Sequence, residues 1–160
     1  VADKETEIEF AERIRQHGAL IHKVCRMYAY SPDDRQDLYQ EIVIHLWNAY
    51  PTFRGQARFS TWLYRVALNT AITGLRRQNR WIPYEPEHAA QPAEEADEEL
   101  WQQLQTAIAR LNDIEKAIVM LYLEDRSFED MEDILGISQG NLRVKMTRIK
   151  DKLRQLVKNG

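Results

Sequence analysis

Residues 53–80 read FRGQARFSTWLYRVALNTAITGLRRQNR: a loop with two aromatics, two arginines and a glycine, then a long helical pattern. Ser60 or Thr61 is expected to cap the helix, which should run to about Asn79. At about 100° per residue, Trp62, Arg65, Asn69, Arg76 and Arg80 fall within about 60° of one another. One face then carries an indole, an amide able to bond a base edge, and guanidinium groups. Leu63, Val66, Ala67 and Leu75 lie on the other side for packing. Aromatics interleaved with arginine suit unpaired nucleic acid, where stacking is worth about 1–3 kcal/mol per base. That is comparable to the few kcal/mol needed to extrude a base from a duplex. The competing reading keeps Trp62 and Phe59 in the core and leaves the arginines as a solvated face.

Charge along the 160-residue chain is sorted. From Ile42 to Tyr84 there is no Asp or Glu, but Arg54, Arg58, Arg65, Arg76, Arg77 and Arg80 are present. Residues 81–100, WIPYEPEHAAQPAEEADEEL, hold Pro83, Pro86 and Pro92, many acids and no Lys or Arg. Proline disrupts helix there and like charges repel, so 81–99 is expected to be a flexible acidic linker, while the alternative that Glu94–Glu99 begins the next helix puts the boundary between Gln91 and Asp97. Asn141–Gly160 is again basic, with Asp151 its sole acid. The formal net charge of −3 thus conceals a basic–acidic–basic layout. Two separate cationic surfaces point to a polyanion held at two places.

The rest of the chain is helical in pattern, with Gln, Glu, Arg, Leu and Ala abundant and strict alternation missing, so an all-α fold is expected. A first stretch, about Lys4–Ala29, has Ile8, Ile14, Leu20, Ile21, Val24 and Tyr28 as expected core and Gly18 as a possible break. Ser31-Pro32-Asp33-Asp34 spells a helix start, and Pro51 ends that helix after Leu38, Ile42, Leu46 and Ala49 on its buried side. Asp34, Asp37, Gln40 and Glu41 form a polar face. Two small helical domains are expected, 1–80 and 100–160. In the second, Asn112-Asp113-Ile114-Glu115 reads as a capping box before Ile118, Leu121 and Tyr122. Ser127 then caps a short helix carrying Phe128, Met131, Ile134 and Leu135. Gly136 suits a left-handed turn, Ile137 plugs the angle, and Ser138 opens the last helix. Leu142, Met146, Ile149, Leu153 and Leu156 form its apolar stripe. Arg143, Val144, Thr147 and Arg148 face outward, flanked by Lys145 and Lys150. This is a helix-turn-helix whose second helix can enter a major groove, with Arg suited to guanine O6 and N7.

The string Asp37-Leu38-Tyr39-Gln40-Glu41, then Phe53-Arg54-Gly55, then Phe59 to Asn69, then Leu75-Arg76-Arg77, resembles the extracytoplasmic-function (ECF) class of bacterial RNA polymerase sigma factors. Those proteins retain only sigma regions 2 and 4, and the resemblance covers essentially the whole chain. It implies a factor that is not an enzyme, directs core polymerase to specific promoters and nucleates their melting. Asp37, Gln40 and Glu41 match the helix that docks on the polymerase clamp. Phe53 and Asn69 match a pocket for a base flipped from the minus-ten element. Trp62, Arg65, Arg76 and Arg77 match the melting and backbone-binding helix, with Arg54, Arg58 and Arg80 beside them. Arg143, Val144, Thr147 and Arg148, flanked by Lys145 and Lys150, match the face that reads the minus-thirty-five element. The resemblance also implies an anti-sigma partner in some members; no cofactor or metal is expected, and the expected setting is cytoplasmic. Asp130-Met131-Glu132 departs from the usual Glu-Ile-Ala, so a carboxylate stands where a small packing residue is common. Asn141-Leu142 stands for Thr-Val, and Val144 would favour a thymine methyl.

Other readings make distinct demands. A stand-alone helix-turn-helix regulator would bind a palindromic duplex as a dimer without polymerase. A metal-dependent nuclease would use Asp34, Asp37 and Glu41, but a second ligand-bearing helix is missing. A helical adapter leaves the arginine–aromatic stripe without purpose. The four histidines lack zinc-ligand spacing. Cys25, the only cysteine, excludes an internal disulfide, and its apolar neighbours make it a core residue. With no basic-then-apolar leader and no apolar run near the roughly 20 residues of a membrane span, a soluble intracellular protein without membrane insertion is expected.

Overall fold

The computed structural model describes residues 4–77 and 96–159, and every regular element among them is helical. The chain divides into two compact units, Val1–Asn79 and Arg80–Gly160.

The first unit holds α1 (Lys4–Gln16), α2 (Gly18–Tyr28), α3 (Pro32–Ala49), a 3-10 turn (Tyr50–Thr52) and α4 (Phe59–Arg77). The expected stretch Lys4–Ala29 breaks at His17, whose backbone is at φ −111° and ψ 13°, just before Gly18. Ile8, expected in the core, is 67% exposed, and Phe10 is buried in its place. The reason is aromatic: the Phe10 ring lies 5.0 Å from Trp47 and 5.1 Å from Tyr50. Ile21, Val24, Cys25 and Tyr28 of α2 are buried. Burial pushes the Cys25 thiol up to about 11, against the opposing pull of the Arg35 charge.

α3 begins as its sequence directs, with Ser31 Oγ accepting from the Asp34 amide at 3.0 Å and Pro32 in the first turn. Its Ile42 and Leu46 are fully buried. His45 Nδ1 donates to Thr70 Oγ1 at 2.8 Å, and that hydroxyl donates to the Val66 carbonyl at 2.8 Å, tying α3 to α4. α4 starts at Phe59, so Ser60 and Thr61 stand inside the helix rather than capping it. The Trp62 amide already donates to the Arg58 carbonyl at 3.1 Å. α4 is the central helix, burying Thr61, Trp62, Leu63, Tyr64, Ala67, Leu68, Thr70 and Ala71. That face is far broader than the stripe expected from Leu63, Val66 and Ala67; Val66 is only half-buried.

The second unit holds α5 (Ala96–Ala109), α6 (Asp113–Leu123), α7 (Phe128–Leu135) and α8 (Gln139–Asn159). The linker expected over 81–99 falls largely outside the described residues, but α5 starts at Ala96, so its last residues belong to a helix. Acids near a helix N-terminus meet the positive end of the dipole, which favours that earlier start. The capping box at α6 is complete: Asn112 Oδ1 accepts from the Glu115 amide at 2.9 Å, and Glu115 Oε1 from the Asn112 amide at 3.0 Å. α6 is nearly enclosed, from Lys116 through Leu121, but Tyr122, which follows the same capping box, is 42% exposed. One step past Leu121, its side chain turns outward and lies under Lys150, whose Nζ is 5.0 Å from the ring centroid. Ser127 Oγ accepts from the Asp130 amide at 3.1 Å, and Gly136 closes α7 at φ 71°, a conformation that glycine adopts without strain. Leu142, Met146 and Ile149 of α8 are buried beneath α6 and α7, and Leu153 and Leu156 are half-buried.

Candidate nucleic-acid interfaces

In the first unit the loop between the 3-10 turn and α4 turns at Gly55, φ 73°, where a side chain would strain the backbone. The loop leaves Arg54 and Arg58 exposed and folds Phe53 inward, half-buried. Phe53 meets Phe59 at 5.5 Å, edge to face, and Trp62 at 5.2 Å. Trp62 also lies 5.4 Å from Phe59 and 6.2 Å from Tyr50.

Trp62 was expected as an outward platform for a base, and this is corrected: it is only 7% exposed. Its 3.6-period position is on the arginine side, but the 3-10 turn and the loop close over the first turn of α4 and claim the indole for packing. The strip that stays open begins one turn later. Arg65, Asn69 and Thr73 are exposed on α4, with Thr73 Oγ1 donating to Asn69 Oδ1 at 3.4 Å. Arg76 and Arg77 end that helix, with side chains outside the described residues, as is Arg80 entirely.

A contribution from α1 went unread. Arg13 places its guanidinium 5.8 Å from the Tyr50 ring, 5.5 Å from Phe53 and 5.2 Å from Phe59. Glu9 holds Arg13 at 3.2 Å and accepts from the Tyr50 hydroxyl at 2.8 Å. Burial, then the bond to Glu9, raises the Tyr50 pKa. His17 donates from Nδ1 to the Arg13 carbonyl at 2.9 Å and lies 4.8 Å from the Phe59 ring. The four-residue spacing of Glu9, Arg13 and His17 was the available signal. The aromatic cluster is therefore a packed base, covered by the Arg13 guanidinium, from which the loop projects Arg54 and Arg58.

On α3, Asp37 and Gln40 are exposed and Glu41 is half-buried. Ile44, absent from the expectation, continues that face at 57% exposure. Among the described residues no group of three or more His, Cys, Asp or Glu is placed to hold a metal ion, so Asp34, Asp37 and Glu41 do not form one. No described helix is long and apolar enough to cross a membrane.

In the second unit Arg143, Val144, Lys145, Thr147, Arg148 and Lys150 are all exposed along the first half of α8. Arg143 lies with its guanidinium carbon 5.3 Å from the Phe128 ring, a contact across the helix-turn-helix that restrains the side chain. Thr147 Oγ1 donates to the Arg143 carbonyl at 3.1 Å. Further along, Lys152 pairs with Glu115 at 3.0 Å and Arg154 with Asp151 at 3.2 Å. The start of α8 is held by Ser138 Oγ, which accepts from the Asn141 amide at 3.3 Å. Glu132 Oε2 accepts from the Gln139 amide at 3.1 Å. The second bond spans the turn and was not read from the sequence.

Comparison with known proteins places both units. Residues 13–81 match the family model for sigma-70 region 2, and residues 101–153 match that for sigma-70, region 4. The chain is 30% identical over 139 residues to the ECF RNA polymerase sigma-E factor of Haemophilus influenzae, covering 76% of this chain and 73% of that protein. It is 31% identical over 149 residues to the ECF RNA polymerase sigma-E factor of Escherichia coli, covering 81% and 78%. Among solved structures, the sigma factor RpoE of Bartonella quintana, in complex with the anti-sigma factor NepR, superposes with a TM-score of 0.75. That match is 19% identical and covers 94% of this chain and 97% of that one. CnrH, in complex with the cytosolic domain of CnrY, gives 0.69 at 19% identity, covering 96% and 90%. At such identity the two structures speak to the fold.

Proposed function

Since the chain belongs to the ECF class of RNA polymerase sigma factors, with sigma-70 regions 2 and 4, we propose a division of labour between its two cationic surfaces. The domain expected over 1–80 holds the melted strand of the minus-ten element, and the domain expected over 100–160 reads the duplex of the minus-thirty-five element. The observation that carries this reading is the strip Arg65, Asn69 and Thr73, the exposed residues among the described side chains of α4, whose other side chains there are buried or half-buried. An exposed amide on α4, the helix that follows the loop carrying Phe53, Arg54 and Arg58, suits the edge of an extruded base, and the arginines suit its backbone. Trp62 supports that site from below and does not stack on the base.

Asp37, Gln40 and Glu41, now with Ile44, form the α3 face that docks on core polymerase. Arg76, Arg77 and Arg80 follow the strand along the backbone. On α8, Arg143, Val144, Thr147 and Arg148 reach base edges while Lys145 and Lys150 meet phosphates. The factor is not itself a catalyst, since polymerase supplies the chemistry, and it works in the cytoplasm. Two solved neighbours are complexes, one with the anti-sigma factor NepR and one with the cytosolic domain of CnrY, and an anti-sigma protein is proposed as a partner here too. The test is transcription in vitro by core polymerase across a genomic promoter library. Added protein should yield transcripts from a defined subset sharing two spaced elements. Transcripts that ignore sequence, or none at all, would overturn the reading.

A further inference from the structure

Glu132 grips the helix-turn-helix at both ends of its turn. Its main-chain carbonyl accepts the Gly136 amide at 2.8 Å, closing α7, while its carboxylate accepts the Gln139 amide at 3.1 Å, opening α8. Gln139 is the first residue of α8, so its amide is one of the donors that a helix leaves without an internal partner. Ser138 takes the Asn141 amide, at the longer distance of 3.3 Å, and leaves the first amide to Glu132. The carboxylate is half-buried, and its negative charge sits at the positive end of the α8 dipole.

The lever arm makes this bond consequential. Arg143 to Arg148 lie four to nine residues beyond Gln139, or about 6–14 Å along the helix axis. A tilt of about 10° at the first turn would move the far readers by about 2 Å, which breaks a hydrogen bond tolerant of only a few tenths of an ångström. The buried Leu142, Met146 and Ile149 press α8 onto its neighbours, and their close packing limits large shifts, but the hydrophobic term itself is non-directional. A charged hydrogen bond to one backbone amide is directional.

We propose that Glu132 is a positioning residue for promoter discrimination: through the Gln139 amide it sets the seating of α8, and with it the aim of Arg143, Val144, Thr147 and Arg148. The inference rests on the assignment of α8 to the upstream duplex.

The test uses the full chain bound to core polymerase and an upstream duplex that the wild-type complex selects from a randomised library. Discrimination is the ratio of affinities for that duplex and for its single base-pair variants. Glu132→Ala should lower the ratio about fivefold or more, in line with the loss of a charged hydrogen bond. Glu132→Gln keeps an acceptor and should stay within about twofold of wild type. Gln139→Pro removes the donor at the one helical position where proline is tolerated, and should match Glu132→Ala. The double variant should fall no further than either single one. Should Glu132→Ala fail to fold, Gln139→Pro decides the matter. Ratios within twofold of wild type in the folded variants, even with lowered melting temperature, would reduce Glu132 to a stabilising cap and overturn the proposal. So would Glu132→Gln losing as much as Glu132→Ala. If the wild-type complex shows no upstream discrimination, the α8 reading and this inference fall together; discrimination intact in wild type and variants alike removes the inference alone.

Discussion

Truncating Trp62 separates the two roles an indole could have here. As a stacking platform its loss would weaken strand capture and leave the protein intact. As a buried member of the Tyr50–Phe53–Phe59 cluster, only 7% exposed, its loss should be felt throughout the first unit. A tryptophan buries about 150–250 Å², worth about 4–6 kcal/mol at 25 cal/mol per Å² as an upper bound. Measured aromatic-to-alanine changes in cores cost about 3–5 kcal/mol. A unit of this size carries roughly 4–11 kcal/mol in total, so Trp62→Ala removes much or all of it. Trp62→Phe keeps the ring contacts and should cost much less. Because two units need not unfold together, a single melting curve is ambiguous; hydrogen exchange read peptide by peptide over 59–77 is the suitable assay. The expected result is that Trp62→Ala raises exchange across α4 and leaves α6 to α8 as in wild type. Unchanged protection in α4, with strand capture lost, would refute the packing role and restore the indole to the nucleic-acid surface.

Three further outcomes follow from the same geometry. Asn69→Ala, at an exposed position, should shift stability by no more than about 0.5 kcal/mol, yet slow promoter opening read by permanganate reactivity of unpaired thymines; normal opening would count against the base-edge role. Phe128→Leu should free Arg143 and reduce upstream discrimination about two- to fivefold, matching the roughly 0.5–1 kcal/mol of an exposed cation–π contact. Phe128→Tyr should preserve it, and equal loss in both would rule out the ring contact as cause. Cys25, raised to about 11 by burial, should resist alkylation at pH 8 in the native protein. Its folded pKa exceeds the unfolded value, so its contribution to stability is complete below about 8.5 and is lost as pH climbs through about 11. Alkylation as fast as in denatured protein would contradict the buried thiol.

Local signals were legible because their partners are close in sequence. Ser31, the Asn112–Glu115 box, Ser127 and Gly136 each act within a few residues, and all four perform as their residue types indicate. The apolar stripe of α8 was legible for the same reason, since helical period alone places Leu142, Met146 and Ile149 together. Trp62 departs from the helical pattern because its angular position belongs to the exposed side of α4, and the loop and the 3-10 turn folding over that end bury it. Ile8 is exposed and Phe10 buried because an aromatic slot at Trp47 and Tyr50 decides which side of α1 faces inward. Arg13 and Glu132 act through partners that no periodicity identifies: rings contributed by the turn and α4, and a backbone amide across a turn.

Photo-crosslinking from position 69 and position 143, in complexes with core polymerase on one promoter, tests the division between the two surfaces most directly. Position 69 should label a non-template base of the downstream element only once the duplex has opened, while position 143 labels upstream duplex before and after opening. Labelling of intact duplex from position 69, or of the melted strand from position 143, would contradict the account.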